Sequence, residues 1–169
     1  MRQVKLLITG PFGAGKSRMI RAISEIRVVS TERRLTRPGP DGKQETTVAM
    51  DYGRVTIGDR VVHLTGTPGQ PRFDFMWDIL SRESDAFLLV VDSTAPAAWK
   101  EAKELLGRFQ DLGRPYVIAA NKQDLSDART LRQIERALTP GESGRVIPCI
   151  GTRPSSVRQV LLRVLEELP

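Results

Sequence analysis

Val4-Lys5-Leu6-Leu7-Ile8-Thr9-Gly10-Pro11-Phe12-Gly13-Ala14-Gly15-Lys16-Ser17 is the stretch that decides the fold. Residues 4–8 form a short apolar run, which reads as a strand. A glycine-rich turn follows, and residues 16–26 then read as a helix. Residues 10–17 match the pattern G-x-x-x-x-G-K-[ST] in full, in the strand–turn–helix context it requires. The glycines let backbone N–H groups converge on phosphate oxygens, and the helix N-terminus adds partial positive charge at the same point. Gly10, Gly13, Ala14, Gly15 and Arg18 are therefore expected to lie around a phosphate chain. Lys16 would place a cation between the β- and γ-phosphates, and the Ser17 hydroxyl would ligate Mg²⁺. The pattern alone selects neither the base nor the reaction.

Working outward, the chain alternates strand and helix to its end. Residues 47–57 alternate apolar and polar, and Gly58-Asp59 turns them into a second strand over 61–64. Continuous apolar runs at 86–91, 116–120 and 146–150 read as strands buried on both faces. Residues 97–112, 128–138 and 155–168 read as helices, the first closed by Gly113 and followed by Pro115. This alternation predicts an α/β three-layer sandwich: a mostly parallel six-stranded sheet with one antiparallel edge hairpin and helices on both faces. Residues 28–45 hold three arginines and Pro38-Gly39-Pro40-Asp41-Gly42. They read as a long functional or mobile loop.

A second motif, Asn121-Lys122-Gln123-Asp124, follows the run at 116–120, at the strand end where open α/β sheets bind ligands. The Asp124 carboxylate offers two acceptors to the ring N–H and exocyclic NH₂ of guanine. Adenine lacks that donor pair and would leave the carboxylate unmatched. Asn121 either reaches the base or braces the phosphate loop, and the Lys122 stem can lie over the purine. A simple helix-capping role for Asn121 and Asp124 is the alternative.

With both motifs in place, the chain resembles a Ras-like small GTPase over essentially its whole length. Residues 47–53, Thr-Val-Ala-Met-Asp-Tyr-Gly, are similar to the switch I segment and following strand of the Rab-like and Arf-like branches. The resemblance implies that Thr47 ligates Mg²⁺ and meets the γ-phosphate, with Thr46 adjacent. Gly66-Thr67-Pro68-Gly69-Gln70-Pro71-Arg72-Phe73 resembles switch II. There Gly69 would give its amide to the γ-phosphate and Gln70 would position the attacking water. Gly66 departs from the family, most of which carries a magnesium-holding aspartate at that place. Gly66-Thr67-Pro68-Gly69-Gln70 looks instead like a bacterial and archaeal branch related to the gliding-polarity GTPase, often paired with roadblock-type partners. The last base loop aligns near Ile150-Gly151-Thr152, so Gly151 and Thr152 are carried over as contacts to guanine. Asp92 is similar to a common family aspartate, and a turn or capping role is expected for it.

The resemblance implies a single GTP-binding domain over 1–169, with GTP or GDP and Mg²⁺ as cofactors. The reaction would be slow hydrolysis of GTP to GDP and phosphate, with Lys16, Gln70 and Thr47 as the catalytic set. A charge-stabilising arginine would come from Arg33, Arg34 or Arg37, or from an activating protein partner. A nucleotide-binding scaffold with little hydrolysis is the main alternative. A P-loop kinase is disfavoured by the motif at 121–124.

Composition agrees with this picture. The 40% apolar and 27% charged fractions match an ordinary globular chain. The lone Cys149 stands in Val146-Ile147-Pro148-Cys149-Ile150 and reads as a small core residue rather than a reactive thiol. The net charge of +6 is scattered and not interleaved with aromatics, so no DNA or RNA partner is expected. The first residues lack a signal-peptide pattern, no segment is apolar enough to span a bilayer, and neither end carries a lipidation motif. A cytoplasmic protein without a membrane anchor is the expectation.

Overall fold

The computed structural model describes residues 1–39, 42–68 and 76–169, with side-chain detail outside 31–39, 43–49 and 76–78. Seven strands form one sheet: β1 (Arg2–Thr9), β2 (Val29–Gly39), β3 (Gly42–Ile57), β4 (Arg60–Gly66), β5 (Ala86–Asp92), β6 (Tyr116–Asn121) and β7 (Val146–Pro148). Their order across the sheet is β2-β3-β4-β1-β5-β6-β7. Pairs β1–β4, β1–β5, β5–β6 and β6–β7 are parallel, whereas β2–β3 and β3–β4 are antiparallel. The α/β class, the mostly parallel sheet and the antiparallel edge are as the sequence predicts.

The strand count differs by one, because residues 28–45 are not a long loop. Residues 29–39 run antiparallel along β3, in a register from Val29↔Tyr52 to Gly39↔Gly42. β2 and the outer part of β3 are the two arms of a hairpin, whose register closes at Gly39↔Gly42. Residues 51–57 of β3 pair with β4, and residues 42–50 extend beyond it beside β2 alone. The Pro, Gly and Arg content of this segment is a local loop signal, and edge strands tolerate such residues because one side of the ladder needs no partner.

Helices cover both faces. α1 (Lys16–Ile23) and α5 (Pro154–Glu166) lie on one side. There Met19, Ile20, Val157, Val160, Leu161 and Val164 pack with Val4, Leu6 and Ile8 of β1. α2 (Met76–Arg82), α3 (Trp99–Asp111) and α4 (Leu131–Leu138) cover the other. Their core holds Leu80, Leu105, Phe109 and Ile134 against Leu7, Phe87 and Leu89. Phe87 and Phe109 stack at 4.3 Å between ring centroids. The buried positions of α5 recur at 157, 160, 161, 164 and 165, the i, i+3, i+4 spacing of a core-facing stripe. Each such side chain contributes about 1.5–3 kcal/mol by leaving water.

The path of the chain positions the site. From β1 it moves to the β4 side, then crosses to β5 on β1's other flank. The carboxyl end of β1 is therefore a topological switch point, where open α/β sheets leave a crevice for ligands. The ends of β1, β4, β5 and β6 at Thr9, Gly66, Asp92 and Asn121 share that edge.

Candidate functional site

The turn after β1 has the backbone that its glycines predict. Gly10 and Gly15 adopt φ values of +151° and +101°. A Cβ on Gly10 would run into the Val90 carbonyl, and one on Gly15 into the Asn121 side-chain amide. Glycine is required at both places on conformational and steric grounds alike. α1 starts at Lys16 with Gly15 as its N-cap and no side-chain cap, so its first amides are not used by a capping side chain.

Lys16 is buried, with Nζ donating to the carbonyls of Gly10 at 2.5 Å and Pro11 at 3.0 Å. Burial pulls its pKa down to about 8, against a smaller opposing pull from Glu101. Phosphate oxygens at the loop would reverse that shift by favouring the charged form. The Ser17 hydroxyl donates to the Asp51 carboxylate, a contact from α1 to β3 that sequence reasoning missed.

The motif at 121–124 folds against this loop. Asn121 is buried, and its Nδ2 donates to Ala14 O at 2.9 Å while its Oδ1 accepts from Gly151 N at 2.7 Å. Of the two roles open to Asn121, bracing the phosphate loop is the one seen. The Gly151 amide serves that brace. Lys122 has φ +66° and donates from Nζ to Gly13 O at 3.0 Å and to Asp92 Oδ2 at 2.6 Å. Asp92 plays the expected turn role by accepting from Thr94 N and Oγ1, and it also forms this ion pair with Lys122. Burial would raise its pKa, but the bonds from Lys122 and Thr94 outweigh it and hold the carboxyl below its usual value. Gly15, Arg18, Asn121, Lys122, Asp124, Leu125, Ile150, Gly151 and Thr152 line one pocket of about 290 Å³. Phosphate-loop and base-motif residues thus share one cavity. Asp124 is exposed along it.

Other expected residues stand apart. Thr47 lies within β3, paired with Arg34, four residues from Asp51. At about 3.4 Å per residue this is roughly 14 Å of strand. Thr46 and the arginines at 33, 34 and 37 belong to the same β2–β3 pair. Gly69 and Gln70, with Pro71, Arg72, Phe73 and Phe75, lie outside the described residues. Thr67 is buried with its hydroxyl on the Ile8 carbonyl, and Thr65 lines a different cavity beside Tyr52 and His63. Cys149 is buried in the core beneath α5, and burial pushes its thiol up to about 11. No helix among the described residues is long and apolar enough to cross a membrane.

Ser17 and Asp51 supply hydroxyl and carboxylate oxygens, the hard donors that Mg²⁺ takes. Among the described residues no group of three or more His, Cys, Asp or Glu is close enough to cage a metal.

A complete phosphate loop at the switch point of a mostly parallel sheet, braced by Asn121, defines the class of P-loop nucleotide-binding proteins. A family model described as "Conserved hypothetical ATP binding protein" matches residues 28–168, and the chain belongs to that family. It is 30% identical over 128 residues to an uncharacterised protein of Methanocaldococcus jannaschii, covering 76% of this chain and 75% of that one. It is 32% identical to human ADP-ribosylation factor-like protein 4A over 102 residues, covering 56% of this chain and 51% of the relative. A match at 25% to a Ras-related protein of Arabidopsis thaliana covers 98% of this chain and 80% of the relative. The chain thus spans only about half of the factor-like relative. Family and relatives together support nucleotide binding; the small-GTPase relatives include Arf-like and Rab-type proteins.

Proposed function

We propose that this chain is a guanine-nucleotide switch, binding GTP and GDP with Mg²⁺ as one unit over 1–169 and slowly hydrolysing GTP. The observation that carries the reading is the Asn121 brace, which ties the phosphate loop to the loop at Gly151 around the pocket that Asp124 lines. In this reading the phosphates lie along Gly10, Gly13, Ala14, Gly15 and Lys16, and Arg18 flanks the pocket. The Asp124 carboxylate takes the paired N–H donors of guanine, favouring it over adenine despite the family's description. Lys122 lies beside the purine, with its amine fixed by Gly13 and Asp92.

Ser17 and Thr47 would hold Mg²⁺, which would offset the charge of the β- and γ-phosphates. Lys16 would neutralise charge growing on the β–γ bridge, and Gln70 would orient water toward the γ-phosphorus. Thr47 reaches the site only if β2 and β3 are redrawn when the γ-phosphate binds, and Gly69 would join it there. Rearrangement of that edge pair is the switch. A protein partner, of roadblock or other activating type, would supply the missing arginine and read the switch state in the cytoplasm.

Single-turnover phosphate release from GTP tests the chemistry. The native chain should release phosphate on the order of 10⁻⁴ to 10⁻² s⁻¹, the range of unassisted GTPases. Gln70→Ala should be at least about tenfold slower, as removal of a water-positioning group predicts. Gly66 favours the rival reading of a scaffold that hydrolyses little. Native protein that keeps GTP intact, alone and with its partner, would establish that rival.

A further inference from the structure

Gly66 removes the family's customary carboxylate from the end of β4, yet a carboxylate still stands at that spot. β3 and β4 are antiparallel, and their register sets Asp51 directly across from Gly66. A Cβ built on Gly66 would lie 3.6 Å from Asp51 Cβ, so the two positions address the same space on the α1 side of the sheet. That Cβ would also press on Ile20 Cδ1 at 2.6 Å, so Ile20 fills the room that a side chain at 66 would need. Asp51 is half-buried, and its carboxylate accepts the Ser17 hydroxyl proton. A hydroxyl that donates to a carboxylate keeps its oxygen lone pairs for a cation, which is the way second ligands orient a metal-binding group. Among the described residues the ion pairs are formed by other carboxylates, Asp92, Glu142, Glu166 and Glu167.

We infer that Asp51 is the carboxylate that holds the nucleotide's Mg²⁺, acting from across the β3–β4 pair in place of residue 66. The inference rests on the proposed nucleotide site and names a metal residue that Ser17 and Thr47 leave out. Asp51 supplies the negative charge, Ser17 an oxygen oriented by Asp51, and waters with phosphate oxygens complete the octahedron that Mg²⁺ demands.

Release of a fluorescent GDP analogue, followed across free Mg²⁺ concentrations and in EDTA, provides the test. Asp51→Asn keeps an acceptor for Ser17 and removes only the charge. It should release GDP in EDTA like the native chain, yet need about ten- to a hundredfold more Mg²⁺ to slow release. Adding Gly66→Asp with Ile20→Val, which clears the space, should bring the requirement back toward the native value. An independent reading uses the native protein with GDP bound: carbodiimide coupling at Asp51, mapped by mass spectrometry, should be strong in EDTA and suppressed by Mg²⁺. An unchanged Mg²⁺ requirement in Asp51→Asn, or coupling at Asp51 that ignores Mg²⁺, overturns the inference and leaves nucleotide binding standing. Native protein that binds no GDP at all instead removes the reading beneath it.

Discussion

Asn121 ties two loops together, and its contacts explain why small changes nearby should have large effects. The side chain spans from Ala14 to Gly151, and Gly15 leaves it room to do so. Gly15→Ala would force a left-handed φ on a residue with a Cβ, which costs about 1–2 kcal/mol, and would push the Asn121 amide away. The expected outcome is a fall of about tenfold or more in affinity for a fluorescent guanine nucleotide, since 1.4 kcal/mol is one decade. Equal affinity in titrations of variant and native chain would mean that the brace does not shape the site. The residues of the phosphate loop were legible in sequence because their roles are local, written within eight consecutive positions. Asp51 was not legible. Its place depends on which residue of β3 faces Gly66, and a shift of one residue would turn its side chain to the other face.

Elements tell a similar story about local and distant signals. The sequence pattern starts α4 at 128, and the structure begins it at Leu131 behind a capping box. Thr130 Oγ1 accepts from Gln133 N at 3.2 Å, while Gln133 Oε1 accepts from Thr130 N at 2.9 Å. Thr130→Ala should therefore destabilise the fold by about 0.5–2 kcal/mol in urea unfolding, leaving nucleotide affinity unchanged. A loss of affinity with no change in the unfolding midpoint would contradict a purely capping role. The proline, glycine and arginine content of β2 is a strong local cue for a loop, and the structure makes it a strand. Its partner β3 follows directly in the chain, and the register closing at Gly39↔Gly42 makes the glycines of this run the end of a hairpin instead of part of a loop. The same segment contains the residues proposed to move. An edge pair attached along one side only is a physically reasonable place for a switch.

At the scale of the whole molecule, the sheet order brings four strand ends to one edge and leaves a crevice beside β1. The fold class was legible because alternating apolar runs and amphipathic helices admit few right-handed arrangements. What the fold leaves open is the base, since P-loop proteins of one architecture serve ATP and GTP alike. The family's description speaks of ATP, whereas the reading proposed above takes guanine, on the Asp124 carboxylate in a pocket shared with the phosphate loop. Two bonds to a carboxylate, each worth about 1.5–3 kcal/mol, amount to at least a hundredfold preference. The decisive measurement is competition for the native chain loaded with a fluorescent guanine nucleotide. GTP should displace the probe at a concentration at least about a hundredfold lower than ATP, and Asp124→Ala should erase most of that gap. ATP displacing the probe as well as GTP does would contradict the account.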